Sequence, residues 1–179
     1  MLNLLLLLLA FAGGIVYGSF FEWALHRFMM HRPFLFVTYP FKTHAITHHG
    51  TFGAGWTYHL RDEANRRLVK MAWWNGPVLI LVNSPVGVLA AWLIGSWWIV
   101  PGFMAAMVLY YGLYEYLHWC MHVPGSRGFQ STRLFRWIDR HHRLHHLQPT
   151  RNLNVVLPIA DFVLRSRLSR APMPGAPPL

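Results

Sequence analysis

At 179 residues the chain suits one domain better than two, and its 12% charged residues are about half the share of an ordinary soluble domain. One cysteine, Cys120, excludes an internal disulfide and a four-cysteine zinc or iron–sulfur site. The formal net charge of +10 invites nucleic acid, but all sixteen Lys and Arg fall in Arg27–Lys70 and Arg127–Arg170, which hold no recognised nucleic-acid motif.

Basic residues confined between long apolar runs are the positive-inside pattern of a membrane protein. The first run, Leu2–Leu25, is broken only by Asn3, Ser19 and Glu22. It lacks the leading basic residue of a cleaved signal peptide and continues into a histidine motif, so a retained membrane span is expected. Met71–Ile94 and Trp97–Leu117 are the second and third predicted spans, joined as a tight hairpin by Gly95 and Ser96. Pro77, Pro85 and Pro101 predict kinks, and Asn83, Ser84 and Pro85 alternatively break the second span. Three spans with basic segments inside put the N-terminus outside and residues 26–70 and 118–179 in the cytoplasm. Every His lies in those two segments. The expected fold is an all-α integral membrane domain over residues 1–170, with about three transmembrane helices and a cytoplasmic helical cap. The run APMPGAPPL, residues 171–179, predicts a disordered Pro-rich tail.

Ten of the twelve His form four clusters. His26 and His31 bracket HRFMMH; His44, His48 and His49 stand in HAITHH; His118 and His122 bracket HWCMH; His142, His145 and His146 stand in HRLHH. Residues three or four apart share a helix face, so His118 and His122 aim at one point. In each triple, the first His and one of the adjacent pair share a face. The other points about 100° away and reaches a neighbouring metal. Ten nitrogens exceed what one first-row metal uses, so two metals with about five ligands each is the simplest solution, and imidazole suits Zn, Cu, Fe and Ni. His59 and His141 are left as non-ligands.

The order of these clusters resembles the fatty acid hydroxylase superfamily, which includes sterol desaturases, sphingolipid fatty acid hydroxylases and carotenoid hydroxylases. The resemblance runs from Glu22 to Asp161 and includes EWALHRFMMH, YEYLHWCMH and NLNVVLPIADFVL. It implies a non-haem dimetal site, two iron ions held by the ten His, using O2 as co-substrate to hydroxylate or desaturate a C–H bond of a membrane-dissolved lipid. Zinc is expected to substitute in purified protein. The chain has no haem or flavin motif, so electrons are expected from a partner such as a ferredoxin or b5-type cytochrome. The His31–His44 gap and NLNVVLP look like the fatty acyl and sterol branch, whereas the short chain resembles bacterial carotenoid hydroxylases. A bacterial inner membrane is the expected location. A membrane metal-binding or metal-transport protein is the alternative of another class; transporters, however, place ligands near the bilayer midplane.

Glu22 and Glu115 sit at the cytoplasmic ends of apolar runs, where an ionisable residue is costly. Glu115 and His118 have the Glu-x-x-His spacing of soluble di-iron bundles, which leaves direct ligation open. The favoured role for both carboxylates is to accept the free N–H of a ligand His and fix its tautomer. Asp139, Asn152 and Asn154 are candidates for the same support, and Asp161 is expected to hold the last helix by an Arg pair. The Arg61, Arg66 and Arg67 run is read as a membrane-surface anchor.

Overall fold

A computed structural model describes residues 1–171, so the predicted tail lies outside the described residues from 172 onward. Helices carry the fold: α1 (Leu2–Leu25), α2 (Asn75–Ile94), α3 (Ile99–His122), α4 (Arg133–Leu147) and the short α5 (Ile159–Val163). Two π-helical turns, His26–Met30 and Lys42–His48, stand between α1 and α2. No strand occurs among the described residues.

Two helices, Leu2–Met30 and Asn75–Ile94, are long and apolar enough to cross a membrane. Three such helices were expected. The third predicted span is indeed a helix of 24 residues, α3, but from Tyr110 onward it carries four tyrosines, Glu115, His118 and His122, which lower its apolarity. The second begins at Asn75 rather than Met71. Large side chains on the outward faces are bare, with Leu81 72% and Trp92 69% exposed.

α3 packs between α1 and α2 along one stripe, Phe103, Met107, Tyr110, Tyr114, His118 and His122, spaced three or four apart. The stripe turns from hydrocarbon to phenol to imidazole as it approaches the site. On α1 the facing stripe is Gly14, Gly18, Glu22 and His26. Small residues let the two backbones approach closely: a Cβ at Gly14 would lie 2.6 Å from Ala106 Cβ, and one at Gly18 2.7 Å from the Tyr110 ring.

The prolines cost less than the sequence predicts. Pro77 and Pro101 fall in the first turns of α2 and α3, where no N–H partner is needed. Pro85 lies inside α2 and orphans the Leu81 carbonyl, which accepts instead from Ser84 Oγ at 2.8 Å. Asn83 donates to Leu79 O and accepts from Tyr17 Oη, both at 2.7 Å. The segment expected to break the span therefore continues it. α2 ends at Gly95, whose φ of +76° suits glycine at a left-handed cap.

Candidate metal centre

The helices deliver ten imidazoles to one place. His26 ends α1, His118 and His122 end α3, and His142, His145 and His146 lie on the buried face of α4. The π turns bring in the rest. In an α-helix, residues five apart diverge by about 140°. A π turn, marked here by the His31 N–H donating to His26 O at 3.0 Å, draws His31 back toward His26. The same device over Lys42–His48 aligns His44 with His49 rather than with His48.

Two groups of five result, each with its ligand atoms within 4.8 Å of one another. The first holds His26, His31, His44, His49 and His145; the second holds His48, His118, His122, His142 and His146. Each triple divides between the groups. His49 and His146 stack at 4.2 Å between ring centroids, so the groups adjoin. Neither group contains a carboxylate, which places Glu22 and Glu115 outside both. His59 and His141 also lie outside.

Six ring orientations are set by backbone carbonyls. Nδ1–H of His122 donates to Tyr58 O at 2.7 Å, of His145 to Arg151 O at 2.8 Å, of His48 to Leu68 O at 3.1 Å and of His118 to Val69 O at 3.1 Å. His26 and His146 donate likewise to Leu153 O and Phe52 O. A carbonyl only accepts, so each of these rings carries its proton on Nδ1 and presents a bare lone pair at Nε2. Those lone pairs face other ring nitrogens: His145 Nε2 lies 3.0 Å from His31 Nε2 and 3.2 Å from His49 Nε2. In the second group His142 Nε2 lies 3.2 Å from His122 Nε2 and 3.0 Å from His146 Nε2. His48 Nε2 and His118 Nε2 are buried with no hydrogen-bond partner. Converging lone pairs repel one another unless a cation sits among them. Adjacent nitrogens at right angles about an ion with bonds of about 2.1 Å would be about 3 Å apart, which the observed spacings match. Both groups can hold a metal ion.

Burial and the neighbouring imidazoles hold His44, His49, His142, His145 and His146 below the ordinary imidazole range. Burial pushes His31 and His48 down to about 4. Neutral rings are the ligating form.

The carboxylates expected to accept imidazole N–H groups contact none of the ten rings; they support the carbonyls that do. The buried run Asn152–Val156 has no regular ladder, so its backbone needs side-chain partners. Asp161 takes Leu153 N–H at 3.0 Å and Asn154 N–H at 2.8 Å, and Glu22 takes Val155 N–H at 2.6 Å. Asn154 Nδ2 bridges to Glu22 at 3.0 Å, and Tyr110 Oη donates to Glu22 at 2.7 Å. Asn152, in the left-handed region at φ 53°, donates to His141 O and accepts from Leu168 N. Asp139 accepts from Tyr58 Oη at 3.0 Å, anchoring the side chain of the residue whose carbonyl holds His122. Glu115 accepts from Met71 N at 3.4 Å.

Asp161 departs from its expected Arg pair. Its partner is His141 Nε2 at 3.0 Å, with Ser166 Oγ at 2.6 Å. Burial opposes its ionisation, but the hydrogen bonds from His141, Ser166 and Asn154 hold the carboxyl below its usual range. The Arg run also divides: Arg61 stacks on Trp56 at 3.7 Å, Arg66 pairs with Glu63, and Arg67 lines a cavity beside the histidines. That cavity, about 310 Å³, is bordered by His44 of the first group and His48 and His118 of the second. The carbonyls of Phe52, Tyr58, Leu68, Val69, Arg151 and Leu153 had no signal in the sequence, because every residue has a carbonyl.

No protein-family model, curated protein or solved structure matches the chain.

Proposed function

We propose that the chain is a membrane-embedded, O2-dependent non-haem di-iron oxygenase that hydroxylates or desaturates a C–H bond of a lipid, of fatty acyl or sterol type. The observation that carries this reading is the pair of five-imidazole groups with opposed Nε2 lone pairs, sharing one cavity. All-nitrogen sites of neutral imidazole suit iron, and two adjoining ions suit activation of O2. Bound there, two iron ions with O2 and two electrons from an external donor protein supply an oxidant strong enough for an unactivated C–H bond.

The chain's residues do the rest. Six carbonyls fix six of the ten rings before metal enters, so little reorganisation of those rings accompanies binding. Burial of eight of the ten rings limits the access of water to the reacting centre. The apolar cavity beside His44, His48 and His118 gives a hydrocarbon access to both groups. Two helices long and apolar enough to cross a bilayer support a lipid-dissolved substrate. The alternative, a metal transporter, fits less well because the imidazoles gather at the ends of α1 and α3 rather than along their middles.

Lipid analysis of a host expressing the chain tests this reading. The expected result is a lipid shifted by about +16 or about −2 mass units, lost in His118→Ala and His145→Ala. An unchanged lipid profile with two ions bound per chain would refute oxygenase function while leaving the metal sites standing.

A further inference from the structure

Four observations meet in the cavity beside the histidines. Its wall is chiefly apolar, but Arg67 and Lys70 stand on it, and no carboxylate lines it. Among the described residues Arg67 makes no ion pair and no side-chain hydrogen bond, unlike Arg66 with Glu63. A second, inner cavity of about 60 Å³ between α1, α2 and α3 shares Leu25, Met30, Met71, Leu79 and Tyr114 with the first. Sharing these five residues, the two adjoin, and we take them together as one passage from the basic segment into the space between the apolar helices. Finally, Tyr114 Oη is buried, has no hydrogen-bond partner, and lines both parts of the passage. Glu22 lines the inner part, but its oxygens are taken by Tyr110, Asn154 and Val155.

A purely apolar ligand would make no use of the two cations at the rim, which face no carboxylate across the cavity. A soluble anion would leave the inner apolar passage unfilled. We propose that the passage binds a single-chain amphiphile with an anionic head, its head group on Arg67 and Lys70 and its hydrocarbon running past Tyr114 between α1, α2 and α3. That this ligand is the substrate rests on the oxygenase reading; that it binds does not. Lys70 also lies 4.7 Å above the Trp119 ring, which holds the ammonium at the rim.

The test uses the purified full-length chain in detergent and the fluorescent polyene parinaric acid, compared with its methyl ester. The acid is expected to bind the wild-type chain more tightly than the ester. Arg67→Gln with Lys70→Gln is expected to weaken the acid by at least about tenfold and to leave the ester unchanged. Both residues are solvent-exposed, so the variant is expected to fold. Ala72→Trp, on the cavity wall, is expected to weaken both probes by filling the space. Inorganic phosphate is expected not to compete, since it lacks the chain. Equal loss of acid and ester in the double variant, an unaffected Ala72→Trp, or displacement by phosphate would each overturn the proposal. Metal counted in the same samples separates the two readings. Two ions per chain without acid preference defeats this inference alone, and acid preference without metal defeats the oxygenase reading alone.

Discussion

Replacing Asp161 by Asn isolates what the buried loop contributes to the metal centre. The carboxylate is fully buried and accepts four hydrogen bonds, from Leu153 N and Ser166 Oγ on one oxygen and from Asn154 N and His141 Nε2 on the other. An amide keeps one oxygen and sets an NH2 against two of those donors. At about 1.5–3 kcal/mol for each hydrogen bond to a charged group, Asp161→Asn should cost about 3–6 kcal/mol. The damage should be local. Leu153 O and Arg151 O orient His26 and His145 of the first group, whereas the second hangs on Phe52, Tyr58, Leu68 and Val69 carbonyls. Metal content should therefore fall from two ions per chain toward one, with thermal unfolding in detergent shifted down. Acid should mimic the substitution. Because the folded pKa of Asp161 is depressed, its contribution is present above the ordinary carboxylate pKa and is lost as pH falls through the lower folded value. Equal loss from both groups, or full retention of two ions, would refute the reasoning.

Other perturbations check other links. Gly18→Val should drive a methyl into the Tyr110 ring, cost about 1–3 kcal/mol, and lower the unfolding temperature in detergent. Ser84→Ala should leave the Leu81 carbonyl unpaired and cost about 1 kcal/mol, an effect that Pro85→Ala in the same chain should reverse. His59→Ala should leave metal content at the wild-type value, since His59 lies outside both groups. In the metal-free chain, stability should be full above about pH 6.5 and fall as pH drops toward about 4, because His31 and His48 must be neutral when folded; denaturant titrations across that range measure it.

The four His clusters were legible because metal ligation needs particular side chains at particular spacings. Their division into two fives was legible in outline: an adjacent pair on a helix cannot point one way, so His48 parts from His49 and His145 from His146. Two things were not. The spacing of His26 to His31, wrong for an α-helix, signals a π turn only after the rings are known to meet. The carbonyls that hold the rings belong to the backbone, so no residue type announces them. What the sequence offers instead is two of their supports: Glu22 and Asp161, expected to meet a ligand His and an Arg, accept backbone N–H groups of the loop. The helices were legible by length. The apolarity of α3 was overestimated because its run of apolar letters includes four tyrosines, two of which, Tyr110 and Tyr114, turn inward.

The most direct measurement is metal stoichiometry with X-ray absorption on the full-length chain reconstituted anaerobically with ferrous iron. Two ions per chain, each in a shell of nitrogen ligands at about 2.0–2.2 Å with the multiple-scattering signature of imidazole, is the predicted result. A single ion, or a shell dominated by oxygen or sulfur, would contradict the account.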